Sequence, residues 1–203
     1  MLILINWAHK FFCLNFKLAT ILNICYYILC LKWINCKVLY ERIMILDKEY
    51  YMKLALKEAK KAYDELEIPV GAVIVRDGIV IAKAYNKKEK KQDSTKHAEI
   101  LAIQKASKKL KNWRLCDCDM YVTLEPCSMC AGALIQSRIR KVYIGTMDEK
   151  TGSCGSVFNL LKDYKFNHNV DIEYGVCKED CEKILKDFFK ELRKNKKNKY
   201  TNI

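Results

Sequence analysis

An α/β fold, with helices on both faces of a five-stranded mixed sheet, is what this sequence predicts, and three features predict it. A helical apolar stripe near residue 50 runs into two β-branched segments joined by a tight turn. A strand, a helix and a second strand follow one another between residues 120 and 145, and an amphipathic helix comes near the end. A strand–helix–strand run makes its two strands parallel, by a right-handed crossover, whereas a tight turn makes its pair antiparallel. With 203 residues, 51% of them hydrophobic, the chain suffices for one well-buried domain plus an extension.

Taken in order, the elements justify this layering. Residues 1–43 stand apart, having neither glycine nor proline, and their uncharged run Leu18–Leu31 is 14 residues long. That falls short of the ~20 residues of a membrane span. Neither a small-residue cleavage site nor a Ser/Arg-rich transit composition is present. We expect translation to begin at Met44, with no stable membrane partner and a cytoplasmic location, and a single domain over residues 44–193. Asp47 caps a helix whose apolar positions Met52, Ala55, Leu56, Ala59, Ala62, Tyr63 and Leu66 recur at three and four. Val70–Arg76 and Gly78–Ala84 form a hairpin through Asp77-Gly78. The lysine-rich segment from Lys87 to Lys96 reads as a loop, followed by a helix over His97–Lys109. Met120–Leu124 and Lys141–Gly145 flank a helix that opens at Pro126 and runs to about Ser137. Val170–Tyr174 is a fifth strand, Lys178–Arg193 the last helix, and residues 194–203 a frayed basic tail.

The chemistry sits in His97-Ala98-Glu99 and in Pro126-Cys127-Ser128-Met129-Cys130. Imidazole and thiolate are the donors that tetrahedral zinc prefers, and three protein ligands leave the fourth position open, as catalytic sites do. Cys127 and Cys130, three apart at a helix start, face one ion together. The positive helix end favours their thiolate forms. His97 and Glu99, two apart, do not share a helix face, which casts Glu99 as a proton carrier and not as a fourth ligand.

On these residues the chain resembles the zinc-dependent nucleoside and nucleobase deaminases, whose signature is H-x-E with P-C-x-x-C. The longer run Thr123–Ala133, with Ile68-Pro69-Val70-Gly71-Ala72 and Asp148-Glu149-Lys150-Thr151-Gly152, is similar to the bacterial tRNA-specific adenosine deaminases over roughly residues 46–193. The resemblance implies a three-layer α/β/α cytidine deaminase-like fold, one Zn2+ per chain on His97, Cys127 and Cys130, and Glu99 as the catalytic acid–base. It implies conversion of adenosine to inosine at the wobble position of a tRNA anticodon loop, by a homodimer. It also implies that Asn86 hydrogen-bonds the base and that the Ala98 N–H lies near the attacking oxygen. Pro69 and Val70 would line the base pocket, Asp148 would meet the ribose-phosphate backbone, and Lys150 and Arg193 would contact phosphates.

Two other readings share these motifs: a deaminase of a free base or nucleoside, of the guanine or cytosine type, and a non-catalytic zinc-bearing RNA-binding subunit. The formal charge of +13 suits a polyanionic partner. Residues 1–43 hold five basic and one acidic side chain, so +9 remains for the rest. The 11 cysteines form no paired framework, which fits a reducing compartment.

Overall fold

The computed structural model describes residues 48–201, with side chains through residue 195; residues 1–43 and the start at Met44 lie outside the described residues. Helix α1 covers residues 48–64, and its apolar positions Met52, Ala55, Ala59 and Ala62 are buried. Strands β1 (Gly71–Arg76) and β2 (Ile79–Tyr85) follow, joined by Asp77 and Gly78, both at positive φ (49° and 74°). That pair of left-handed residues matches the twist of a two-residue hairpin. Next come the short helix α2 (Lys88–Lys91) and helix α3 (Ala98–Leu110). They lead to β3 (Cys118–Leu124), α4 (Ser128–Gln136), β4 (Lys141–Thr146), β5 (Asp171–Tyr174) and α5 (Lys178–Thr201).

The sheet order is β2-β1-β3-β4-β5. β1 pairs antiparallel with β2 and β3, while β3–β4 and β4–β5 are parallel, so the mixed five-stranded sheet is as expected. Its central strands read as near-continuous apolar runs because both faces are covered. Ala72, Ile74, Met120, Val122, Val142 and Ile144 pack with Ala98, Ala102, Leu134 and Ile135 of α3 and α4. The alternate residues Val73, Val75, Tyr121 and Tyr143 pack with Tyr51, Met52 and Ala55 of α1 and Cys181 of α5. Tyr121 and Tyr143 are register partners on β3 and β4, and their rings stack at 4.4 Å and 2°. Gly71 lets α1 approach this closely: a Cβ there would lie 2.5 Å from the Ala59 nitrogen and closer still to the Ala55 carbonyl oxygen.

Three local expectations differ from what is found. The Lys87–Lys96 loop contains the turn of helix α2. The helix after β3 begins at Ser128, with Cys127 as its N-cap, so Pro126 precedes the helix instead of opening it. The Pro126 carbonyl accepts the Ser153 N–H (2.9 Å) and Cys127 bridges to Gly152, which keeps the backbone extended through Cys127. Finally, α5 runs without a break from Lys178 to Thr201, so the segment expected to fray is helical backbone. Among the described residues no helix is long and apolar enough to cross a membrane.

Candidate active site

Two helix starts meet at the site. His97 is the N-cap of α3 and Cys127 the N-cap of α4; both are extended, and neither side chain caps its own helix. A Ser, Asp or Asn at such a position would bond the first-turn N–H groups, and leaving that bond unmade costs about 1 kcal/mol per helix. In exchange, imidazole and thiol are free to turn toward each other, under the positive ends of both helices. Cys130, in the first turn of α4, completes the group.

His97 Nδ1 lies 3.7 Å from Cys127 Sγ and 3.6 Å from Cys130 Sγ. A tetrahedral zinc, with bonds of ~2.3 Å to sulfur and ~2.0–2.1 Å to nitrogen, would hold N and S ~3.5 Å apart, so the three side chains fit such an ion closely. These three are the one group among the described residues whose ligand atoms cluster for a metal, all within 4.8 Å of one another. The Cys127 thiol is held far below the ordinary thiol range, first by the hydrogen bond from Cys130 and then by His97. The Cys127 partner in turn raises His97. The thiolate is therefore favoured at Cys127 alone, since the bond to Cys127 and burial push the Cys130 thiol up.

Glu99 is the second residue of α3, within its first turn, and is 3% exposed. Burial pushes its carboxyl above the ordinary range, and its Oε2 has no hydrogen-bond partner. It faces a cleft of about 260 Å³ that His97 and Cys127 also line, close to the lower end of small-molecule sites. Ile68, Val70 and Leu124 give this cleft apolar walls.

The remaining expected residues divide. Asn86 is buried and lines the cleft, and its Oδ1 accepts the Ala98 N–H at 2.9 Å. The Ala98 N–H thus donates to Asn86 in this structure. Its effect is to orient the Asn86 amide. Val70 lines the cleft, but Pro69 is buried behind it, and Ile68 takes the expected place. Asp148 reaches the cleft rim with its carboxylate occupied: Oδ1 accepts the Lys150 N–H (3.0 Å) and Oδ2 the Thr151 hydroxyl (2.6 Å). It shapes its own turn, and a carboxylate so placed does not favour a phosphate. Lys150 and Arg193 line a surface groove beside Leu185, Lys186 and Phe189 of α5, and Lys150 also lines a groove that shares Ile68, Leu124, Asp148 and Thr151 with the cleft.

Sequence reasoning missed two buried carboxylates that line the cleft. Glu125, 3% exposed, accepts the N–H groups of Asp148 (2.9 Å), Cys154 (2.9 Å) and Ser156 (3.0 Å) and the Ser156 hydroxyl. It fastens the 148–156 loop to the start of α4. Glu67, 1% exposed, binds the backbone of α2. The available signal was position: each charge interrupts an apolar context next to a motif, Leu124-Glu125-Pro126 and Glu67-Ile68-Pro69.

A mixed sheet with His-x-Glu at one helix start and Pro-Cys-x-x-Cys at another is the build of the deaminases. A family model described as MafB19-like deaminase matches residues 46–193. The chain is 51% identical over 149 residues to a tRNA-specific adenosine deaminase of Bacillus subtilis (strain 168), covering 73% of this chain and 92% of that one. It is 49% identical over 150 residues to the one from Aquifex aeolicus (strain VF5), covering 74% and 99%. A solved structure from studies of A-to-I editing by tRNA:A34 deaminases at the wobble position of transfer RNA superposes with a TM-score of 0.65. It is 41% identical, over 67% of this chain and 99% of that one. The chain belongs to the family of tRNA-specific adenosine deaminases.

Proposed function

We propose that this protein converts adenosine to inosine at the wobble position of a tRNA anticodon loop, using one zinc ion held by His97, Cys127 and Cys130. The observation that carries the reading is Glu99 Oε2: a buried, partnerless carboxylate oxygen, in a cleft of this size, beside three donors spaced for a metal. Zinc would supply the Lewis acidity that makes a water nucleophilic at neutral pH. Glu99 takes the proton of the water that attacks the carbon bearing the amine. It passes that proton to the ring nitrogen, then takes the proton left on the newly attached hydroxyl and gives it to the amine as the carbonyl forms and the C–N bond breaks, so adenosine and water give inosine and ammonia. One carboxylate serves both transfers because it returns the first water proton before it takes the second.

Asn86, oriented by the Ala98 N–H, keeps its amide nitrogen for an acceptor on the base. Ile68, Val70 and Leu124 exclude water from the base faces. An anticodon loop suits the cleft because its base is already unpaired and is cheap to turn out. The homodimer and the cytoplasmic location follow from the family likeness and belong to the same proposal; light scattering that gave a single-chain mass would remove the dimer.

The test is direct. The purified full chain is mixed with an anticodon stem-loop carrying a wobble adenosine, and inosine and ammonia are measured beside free adenosine, cytidine and guanine. Inosine in the stem-loop, with poor turnover of the free compounds, is expected. Comparable activity on a free base or nucleoside would place the chain among metabolic deaminases.

A further inference from the structure

The lysine-rich stretch after Asn86 has no part in the chemistry above, yet one turn of it reaches the cleft. α2 buries none of its own side chains, and a helix of four residues does not stand by itself. Its N-cap is Lys87, which makes no capping bond and has no acceptor to make one with. Something else must hold it.

That something is the end of α1. Leu66 takes a positive φ of 60°. Its N–H bonds the Tyr63 carbonyl (3.0 Å), and the Glu67 N–H bonds the Ala62 carbonyl (2.9 Å). This is a Schellman ending, and it turns the chain so that the Glu67 side chain is buried. Its carboxylate then accepts the Glu89 N–H at Oε2 (3.1 Å) and the Lys90 N–H at Oε1 (2.7 Å). These are the first-turn donors that an Asp or Ser N-cap would satisfy. A residue over twenty positions upstream has taken over the cap. Glu65 adds a second tie: its Oε1 accepts the Tyr85 hydroxyl (3.0 Å), and its Oε2 lies 3.2 Å from the Lys90 ammonium, as an ion pair and not as an aligned hydrogen bond.

Held this way, α2 places Lys88 and Glu89 on the cleft wall together with Glu67 itself. The Lys88 ammonium touches Glu89 at 3.7 Å with both side chains about half exposed or more (47% and 65%). Such a contact is worth little and yields readily to a phosphate, for which a lysine donor is suited.

We propose that Glu67 is a positioning residue for substrate binding: its buried carboxylate caps α2 from outside and holds Lys88 at the cleft mouth, where the ammonium takes a phosphate of the RNA strand flanking the target base. This rests on the RNA substrate proposed above. Glu67 acts through Lys88, so the two residues form one unit and their effects overlap.

The test is a double-mutant cycle in the zinc-loaded full chain, with Glu67→Ala, Lys88→Met and both together, assayed on the anticodon stem-loop. Each single change is expected to raise KM about 10-fold, the scale of one charge-assisted contact, with a smaller change in kcat. The double variant should be no more than about twofold worse than either, where independent sites would multiply. Amide exchange at residues 89 and 90 should quicken in Glu67→Ala and stay unchanged in Lys88→Met. Glu67→Gln, which keeps one carbonyl acceptor, should recover part of the KM. Multiplying KM effects, an effect of Glu67→Ala on kcat alone, or unchanged exchange would overturn the proposal. If Glu67→Ala does not fold, Lys88→Met and Glu67→Gln decide it, and an unchanged KM in both sinks it. A wild-type chain that leaves the stem-loop unconverted would remove the substrate reading instead. Stem-loop affinity and amide exchange would then judge Glu67: parallel losses in Glu67→Ala and Lys88→Met support it, and no loss refutes it.

Discussion

Replacing Glu125 by alanine should be far more damaging than removing any surface carboxylate. Its side chain is the sole partner shown for three backbone N–H groups, those of Asp148, Cys154 and Ser156. Each buried donor left unsatisfied costs about 1–3 kcal/mol. Partial entry of water keeps the sum below simple addition, so about 3–5 kcal/mol is expected, the usual cost of breaking a buried charged network. For a domain near 150 residues each kcal/mol moves Tm by about 2–4 °C, which gives a fall of roughly 6–20 °C. Out of a total stability of about 5–15 kcal/mol that is a large share. Because the same carboxylate ties the 148–156 loop to Cys127, bound zinc should fall as well. Circular-dichroism melting with metal analysis measures both. Glu182→Ala, which removes an exposed pair with Lys186 on α5, is the control and should change Tm by a degree or two. If Glu125→Ala melts within about 2 °C of wild type and keeps its zinc, the carboxylate is not the anchor described.

Glu99→Ala should retain about one zinc per chain and lose turnover ~100-fold or more, whereas Cys130→Ala should lose the metal itself; a zinc-free Glu99→Ala would make Glu99 a ligand. Gly152→Ala should destabilise, because its Cβ would fall on the Glu125 carboxylate, and a wild-type melting curve would refute the close approach. The Thr95 hydroxyl and N–H hold Asp93 down to about 2. A depressed carboxyl stabilises the fold above its unfolded pKa of ~3.9 and loses that contribution as pH falls toward 2; Asp93→Asn should therefore flatten the acid limb of the stability profile between about pH 5 and 2. Stem-loop affinity should fall steeply with salt through counterion release, while turnover of a neutral nucleoside should not; flat salt dependence would remove the RNA electrostatics. A chain begun at Met44 should fold, bind zinc and deaminate as the full one does, and an insoluble or inactive product would make residues 1–43 structural.

Local rules were enough for much of this molecule. Periodicities of two and 3.6, the Asp77-Gly78 turn and the spacing of Pro126 and the two cysteines made the five strands and the main helices legible. They also brought out His97, Glu99, Cys127 and Cys130 as one candidate site, because metal-ligand chemistry is written in residue type and short spacing. What the tertiary structure decided depends on bonds between distant segments. Glu67 and Glu125 read as ordinary surface charges until the topology buries them against α2 and the 148–156 loop. Asn86 and Ala98 look like two separate substrate contacts until β2 and α3 place them 2.9 Å apart. Lys150 and Arg193 share a groove that only the packing of α5 creates. Burying carboxylates such as Glu67 and Glu125 costs less where N–H groups converge on them, and which N–H groups converge is a property of how the chain is folded, not of any stretch of its sequence.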